Sequence, residues 1–276
     1  GMSFSEVKNW YDGYTVGNTD GIFNPNSVME AIHSGDCDLY WRTTGAGDEL
    51  SPYLRYELRS DVEKMIRGES VTVDTTSFEN NIKDIDSRDK VITMLIHLGY
   101  LSYDNGEAHI PNMELLLYFA SCIKNADLGG LTLVVSRSEE MLQCIRRGRA
   151  TRLSELMAYC HNDVCGALEY NNEQSLYTTL RESLIFAHRD YIMHREYPTG
   201  KGFADLVLIP RPNRDNPGIV IELKWDKDAE GPISQIKERD YSQKLFEYTD
   251  RVILVGINYD KNTKVHDCTI ESISKE

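Results

Sequence analysis

Residues 203–224 read FADLVLIPRPNRDNPGIVIELK. Two short aliphatic runs, 203–209 and 218–224, have the length and residue types of buried strands. The segment between them, 210–217, is so rich in Pro, Asn and Asp that only a turn or loop fits it. Both runs carry charge where a core strand should have none: Asp205 in the first, Glu222 and Lys224 at the end of the second. Residues two apart in a strand share a face, so Glu222 and Lys224 point the same way. Burying either charge alone is costly, so each needs a partner, a metal or water. The plain reading is an ion pair at a strand end. The functional one adds Asp205, converging from the neighbouring strand. Two carboxylates and a backbone carbonyl, that of Leu223, then form a set of hard oxygen donors suited to Mg²⁺ or Mn²⁺. The Lys224 ammonium would orient or help deprotonate water, an arrangement for metal-assisted phosphodiester hydrolysis.

The surrounding elements give these strands a context. Periodicity predicts helices over 137–148 and 152–168 and another over 173–188, with Leu176, Thr179, Leu180, Ser183 and Leu184 at spacings of three and four. A strand at 191–197 precedes the two central runs. A long helix over 229–249, a buried strand at 251–257 (RVILVGI) and a last strand near 264–270 follow. The order α-β-β-β-α-β-β implies a mixed sheet flanked by helices.

This pattern resembles the PD-(D/E)XK nuclease superfamily, whose restriction-endonuclease-like core has the same α-β-β-β-α-β order. The resemblance makes Asp205, Glu222 and Leu223 metal ligands and Lys224 the water-positioning residue. It adds Glu173, at the start of the preceding helix, as a further acidic site residue. The alternative for Glu173 is ordinary complementation of the helix dipole. Gly200-Lys201-Gly202-Phe203-Ala204-Asp205 resembles the family's Gly-rich approach to the strand Asp. Gln235 with Tyr241 resembles the Gln-x(5)-Tyr signature of one bacterial branch, which brings Gln235 into the site. That branch is fused to predicted AAA-ATPase-like proteins and usually carries Gly-Arg-x-Asp; here Phe203 takes the Arg position.

The first half looks like that branch's region after the ATPase core, through Trp10-Tyr11-Asp12-Gly13-Tyr14, Asn24-Pro25, Tyr40-Trp41, Leu98-Gly99-Tyr100-Leu101 and Ile110-Pro111-Asn112. By pattern it is mostly helical. Asn24-Pro25-Asn26-Ser27 caps a helix, and residues 53–67 read as a charged amphipathic helix. A helix from 88 stops at Gly99, a hairpin turns at Asp104-Asn105-Gly106, and a helix covers 113–124, the layout of a winged-helix-like unit. Asp127-Leu128-Gly129-Gly130 is the candidate linker, which divides the chain into a region 1–128 and a nuclease-like domain 131–276. No Gly-x(4)-Gly-Lys-Ser/Thr occurs, so no ATP binding is expected.

The 276 residues carry a formal net charge of −14. Residues 1–130 hold 10 basic and 21 acidic side chains, a net of −11, and the remainder a net of −3. Such acidity argues against nucleic-acid binding by the first half, which is the better candidate for docking a protein partner. The Arg146, Arg147, Arg149 and Arg152 cluster reads either as a nucleic-acid contact or as a solvated helix end. No apolar run approaches the roughly 20 residues of a membrane helix. Gly1 ahead of Met2 reads as an expression scar and no leader pattern follows, so a cytoplasmic location is expected. The six cysteines form no Cys-x-x-Cys pair. Cys160, His161 and Cys165 offer a metal set on paper, but their helical apolar spacing reads as core. The expected function is Mg²⁺-dependent nuclease activity on nucleic acid. The alternative is a catalytically idle nuclease-fold module acting through protein or nucleic-acid interactions, with a separate ATPase as one candidate partner.

Overall fold

The structure is a computed structural model that describes residues 2–41, 58–76, 86–123, 130–164, 172–199, 202–212, 214–226 and 244–275. Its contacts divide the chain into two compact units, Gly1–Thr132 and Leu133–Glu276.

The first unit contains α1 (Phe4–Tyr11), a small hairpin β1 (Tyr14–Val16) and β2 (Thr19–Ile22), α2 (Pro25–Ser34), α3 (Arg59–Ile66), β3 (Val71–Thr72), α4 (Arg88–His97), β4 (Ser102–Asp104), β5 (Glu107–His109) and α5 (Met113–Ile123). Asn24 caps α2 by accepting the Asn26 and Ser27 N–H groups, and Pro25 takes the first helical turn, where its missing N–H is harmless. The β4–β5 turn places Asn105 at φ 48° and Gly106 at φ 87°, the paired positive angles a two-residue hairpin favours. With β3 this hairpin makes a three-stranded sheet in the order β3-β5-β4. The aromatic motif at the C-terminal end of α1 is structural. Trp10 and Tyr11 are fully buried, the Tyr11 hydroxyl donates to the Asp38 carbonyl, and the Tyr14 hydroxyl donates to the Gly99 carbonyl. Gly13 sits at φ 104° against Pro111, so the two motifs seen in sequence meet here. Glu114 is buried in α5 and accepts the Tyr40 and Trp41 N–H groups at 2.9 and 2.8 Å. Burial pushes its carboxyl up to about 7.

The second unit contains all but the first three residues of α6 (Gly130–Arg146), then α7 (Ala150–Val164), α8 (Glu173–Ser183), and strands β6 (Tyr191–Thr199), β7 (Gly202–Pro210), β8 (Gly218–Trp225), β9 (Arg251–Asp260) and β10 (Val265–Ser274). α6 begins at Gly130, earlier than the helix expected from 137. Residues 173–188 do not form one helix. α8 ends at Ser183, and Ile185–Arg189 tightens into a 3₁₀ turn that leads into β6. The five strands form a mixed sheet in the order β10-β9-β8-β7-β6, antiparallel except for β8 beside β9. A parallel pair needs a crossover, and residues 226–250 supply it; most of the helix expected over 229–249 lies outside the described residues.

Both sheet faces are covered. Leu206, Leu208, Ile219, Ile221, Ile253 and Val255 pack against Ile145, Leu153, Leu156, Leu176 and Leu180 of α6–α8. On the opposite face Val207, Ile209, Val220, Val252 and Leu254 pack with Leu245. Burial on both faces explains why the central strands read as continuous apolar runs. Cys160 is fully buried in the first of these cores. His161 packs edge-on to His266 at 5.3 Å beside Tyr259. Burial, with His161 adding a smaller like-charge effect, depresses His266 to about 3, so its imidazole is held neutral. Cys165 lies outside the described residues. No helix among the described residues is long and apolar enough to cross a membrane.

Candidate active site

The charged residues singled out in β7 and β8 lie where those two strands part. β8 is central and buried from Gly218 through Leu223, so the carboxylate of Glu222 is only 1% exposed. Lys224, two residues on, has an 11% exposed side chain and brings Nζ to 3.5 Å from Glu222 Oε2. The β7–β8 ladder is paired from Leu208↔Ile219 to Leu206↔Ile221. At the next step Asp205 Oδ2 accepts the Leu223 N–H at 2.7 Å, so a carboxylate takes the place of a ladder carbonyl. In an extended strand a residue's N–H and C=O leave on the same edge, so the Leu223 carbonyl faces the gap that Asp205 occupies. Asp205 is thereby tied to the backbone of the residue that separates Glu222 from Lys224.

A break in the neighbouring hairpin aims these groups. β6 and β7 pair continuously except at one rung, between Arg195↔Leu206 and Tyr197↔Ala204. There Glu196 has φ 48°, a left-handed conformation that side chains other than Gly adopt at a cost of roughly 1–2 kcal/mol. The pleat reverses across it. Leu206 packs under α6–α8, while Ala204, two residues away, packs in the opposite core. Tyr197 likewise packs against the opposite core, whereas the Arg195 guanidinium stacks over Tyr177 of α8, 4.5 Å from the ring centre. Irregular rungs of this kind commonly redirect side chains at strand rims.

The result is an open cavity between α8 and the strand ends. Asp205, Leu223, Arg195 and Glu196 line it from the sheet, and Glu173, Gln174 and Tyr177 line it from α8. Glu173 is the first residue of α8, held there because Asn172 caps the helix by accepting the Ser175 N–H at 2.9 Å. Asp205, Leu223 and Glu173 thus share one cavity, and Glu222 and Lys224 form a pair on the strand beside it. Gln235 and Tyr241 lie outside the described residues. Phe203, at the Arg position of the resemblance, is 61% exposed. Arg195, Gln174 and Tyr177 escaped the sequence reading. Arg195 sits in a polar strand, YIMHREYPT, whose charge alone gives no direction.

Two carboxylates and a backbone carbonyl match the donor chemistry of Mg²⁺, which keeps several waters and needs no closed protein cage. Among the described residues there is no cluster of three or more His, Cys, Asp or Glu side chains that could hold a metal ion, so an ion here would rely on two carboxylates, the carbonyl and water. Of the arginine cluster, Arg146 is bonded to Asp190 and the Tyr191 hydroxyl, and Arg152 to Glu140 and Glu155, which favours the helix-end reading for both.

This arrangement, an Asp on one strand bonded to the backbone within an acid-x-Lys on the next, can be set beside known families. Residues 172–268 match the PD-(D/E)XK nuclease superfamily. The matched span runs from the cap of α8 into β10, so it contains Glu173, Asp205, Glu222, Leu223, Lys224 and Gln235. A PD-(D/E)XK domain points to nuclease-type chemistry on nucleic acid, and members of this superfamily generally use divalent metals. No curated protein matches the chain.

Proposed function

We propose that the second unit hydrolyses phosphodiester bonds in nucleic acid with Mg²⁺ or Mn²⁺, held by Asp205, Glu222 and the Leu223 carbonyl. The observation that carries this reading is the 2.7 Å bond from the Leu223 N–H to Asp205, next to the buried Glu222–Lys224 pair. It joins the acidic residue of one strand to the acid-x-Lys of the next without any regular ladder contact. The ion, when bound, supplies positive charge against the phosphate and acidifies water. Asp205 uses one oxygen to fix the Leu223 backbone, which orients its carboxylate toward the cavity. Lys224 holds its ammonium against Glu222, where it positions the attacking water and opposes charge growing on the phosphate. Glu173 orders the water layer at the cavity mouth, and Gln235 supports the same shell. The acidic first unit serves as a docking module for a protein partner.

Cleavage assays on a panel of single- and double-stranded DNA and RNA, with Mg²⁺ or Mn²⁺, test this. Lys224→Ala, purified identically, is expected to lose at least about 100-fold in rate, the scale of a positioned proton-transfer group. Equal cleavage by both proteins would identify a contaminant and overturn the assignment of Lys224. A melting experiment reports on the ion separately. Mg²⁺ at about 100 times its Kd should stabilise the wild type by about 2.7 kcal/mol and leave Asp205→Asn unmoved. The second reading, an idle module that binds without turnover, is favoured by exposed Phe203 at the position where the resemblance expects an arginine. Metal-dependent stabilisation without cleavage of any substrate would select it.

A further inference from the structure

We propose that Arg195 is the phosphate-contact residue of this site; the inference rests on the nuclease reading above and adds to it how the substrate backbone is held. Among the described residues, the charged side chains that line the cavity are Glu173, Glu196, Asp205 and Arg195, so the guanidinium is the one cation of that set. The Lys224 ammonium is engaged with Glu222 on the strand beside it. A polyanion drawn to a wall with three carboxylates requires a cation there, and the chain as a whole, at −14, supplies no general attraction.

The conformation of Arg195 is that of a prepared contact. Its plane lies over Tyr177, Nη2 donates to Gln174 Oε1, and Nε stands 3.5 Å from Glu196 Oε1. Stacking and a side-chain amide hold the fork without enclosing it, because 48% of the side chain stays exposed. A guanidinium restrained in this way loses little further freedom on taking a phosphate, and its geometry matches two phosphate oxygens at once. Tyr191 and Met193 pack on the α6–α8 side, so alternation along β6 carries Arg195 to that side, while the reversal at Glu196 sends Tyr197 to the opposite core. The sheet therefore delivers its cation from β6, while position 203 of β7 carries an exposed phenylalanine.

A purely structural Arg195 predicts something different. The Arg195–Glu196 pair is exposed on both sides, at 48% and 69%, and such pairs contribute little to folding. The test is binding of labelled single-stranded and duplex DNA and RNA in chelator, where no cleavage occurs, titrated between about 50 and 200 mM salt. Arg195→Gln, which keeps hydrogen-bonding capacity, should weaken binding by roughly 10- to 100-fold at low salt. It should also flatten the slope of log affinity against log salt by about 0.7 on single strands or about 0.9 on duplex, the loss of one phosphate contact. Arg195→Lys should restore the slope and recover only part of the affinity, because an ammonium neutralises charge without the fork. Wild type that binds and cuts, with an unchanged slope in Arg195→Gln, overturns the role of Arg195 and leaves the nuclease reading standing. A wild type that neither binds nor cuts any member of the panel overturns both. A slope lost in Arg195→Lys as well as in Arg195→Gln overturns the phosphate contact, since charge would not be the determinant.

Discussion

Replacing Lys224 with methionine removes an ammonium 3.5 Å from the Oε2 of a carboxylate that is 1% exposed. At that separation, with an effective dielectric near 20, the pair attracts by roughly 5 kcal/mol. Much of that offsets the desolvation of two charges already brought into the sheet. The measurable quantity is the loss when one member goes and the other stays buried, about 3–5 kcal/mol. Glu222→Gln should cost far less, about 1 kcal/mol, because the Lys224 tip is the more exposed partner and its flexible stem lets it reach solvent. The double variant should recover most of the loss, since no buried charge remains, giving a coupling energy of at least about 2 kcal/mol. The assay is urea unfolding of all four proteins in chelator, followed by amide exchange on β7–β9 so that the second unit is read by itself. Repeating it with saturating Mg²⁺ adds a further expectation. An ion on Glu222 replaces part of the missing cation, so Lys224→Met should gain more from Mg²⁺ than the wild type does. A Lys224→Met loss below about 1 kcal/mol, or a coupling below about 0.5, would mean that the pair is screened like a surface one, and the buried-site argument would fail.

The two units should respond to acid in opposite directions. His266, held near 3 by burial against an unfolded value of about 6.5, contributes nothing above pH 6.5 and destabilises the second unit as pH falls below it, by about 2 kcal/mol at pH 5. Glu114, raised to about 7, stays protonated in the folded first unit while the unfolded chain ionises. That unit therefore gains up to about 3 kcal/mol as pH falls from 7 toward 4.5, and unit-resolved amide exchange at pH 7 and pH 5 reads both signs. A β-carbon at Gly13 would lie 2.0 Å from the Pro111 carbonyl oxygen at φ 104°, so Gly13→Ala should cost at least about 3 kcal/mol in urea unfolding. Gly17→Ala, at φ 62° in open space, should cost only about 1 kcal/mol.

Much of the fold can be read from residue types because local chemistry and tertiary position agree. The runs expected at 203–209 and 218–224 are strands at 202–210 and 218–225, since aliphatic residues buried on both faces leave no competing period. The cap at Asn24 and the turn at Asn105-Gly106 behave as isolated dipeptide signals because their hydrogen bonds are made within a few residues. The 173–188 segment fails for the same reason in reverse. Its apolar spacing continues past the point where Leu184 leaves helical geometry, and periodicity records which residues are buried, not how the last turn closes. Arg195 was illegible because an arginine in a strand carries no sign of which side it takes. That side follows from Tyr191 and Met193, whose packing under the helices sets the alternation of β6.

The placement of Asp205 depends instead on the rung it shares with Glu196, whose conformation is left-handed. With a regular pleat, Asp205 would share a face with Val207 and Ile209 and enter the core opposite α8, where a lone carboxylate is strongly disfavoured. Alternation alone would thus place Asp205 away from Glu173. The left-handed residue interrupts alternation at that one rung, so Ala204 takes the apolar face and Asp205 is released to the strand edge, where the Leu223 N–H meets it. Arg195, already on the α8 face by its alternation with Tyr191 and Met193, meets Tyr177 and Gln174 in the same cavity. A strain of roughly 1–2 kcal/mol therefore avoids a larger desolvation cost and brings an acid and a backbone ligand to the cavity that Arg195 lines. Nothing in the residue type of Glu196 announces this, since glutamate has no preference for positive φ. Glu196 lies opposite Asp205, whose neighbours Leu206 and Ala204 are buried in opposite cores.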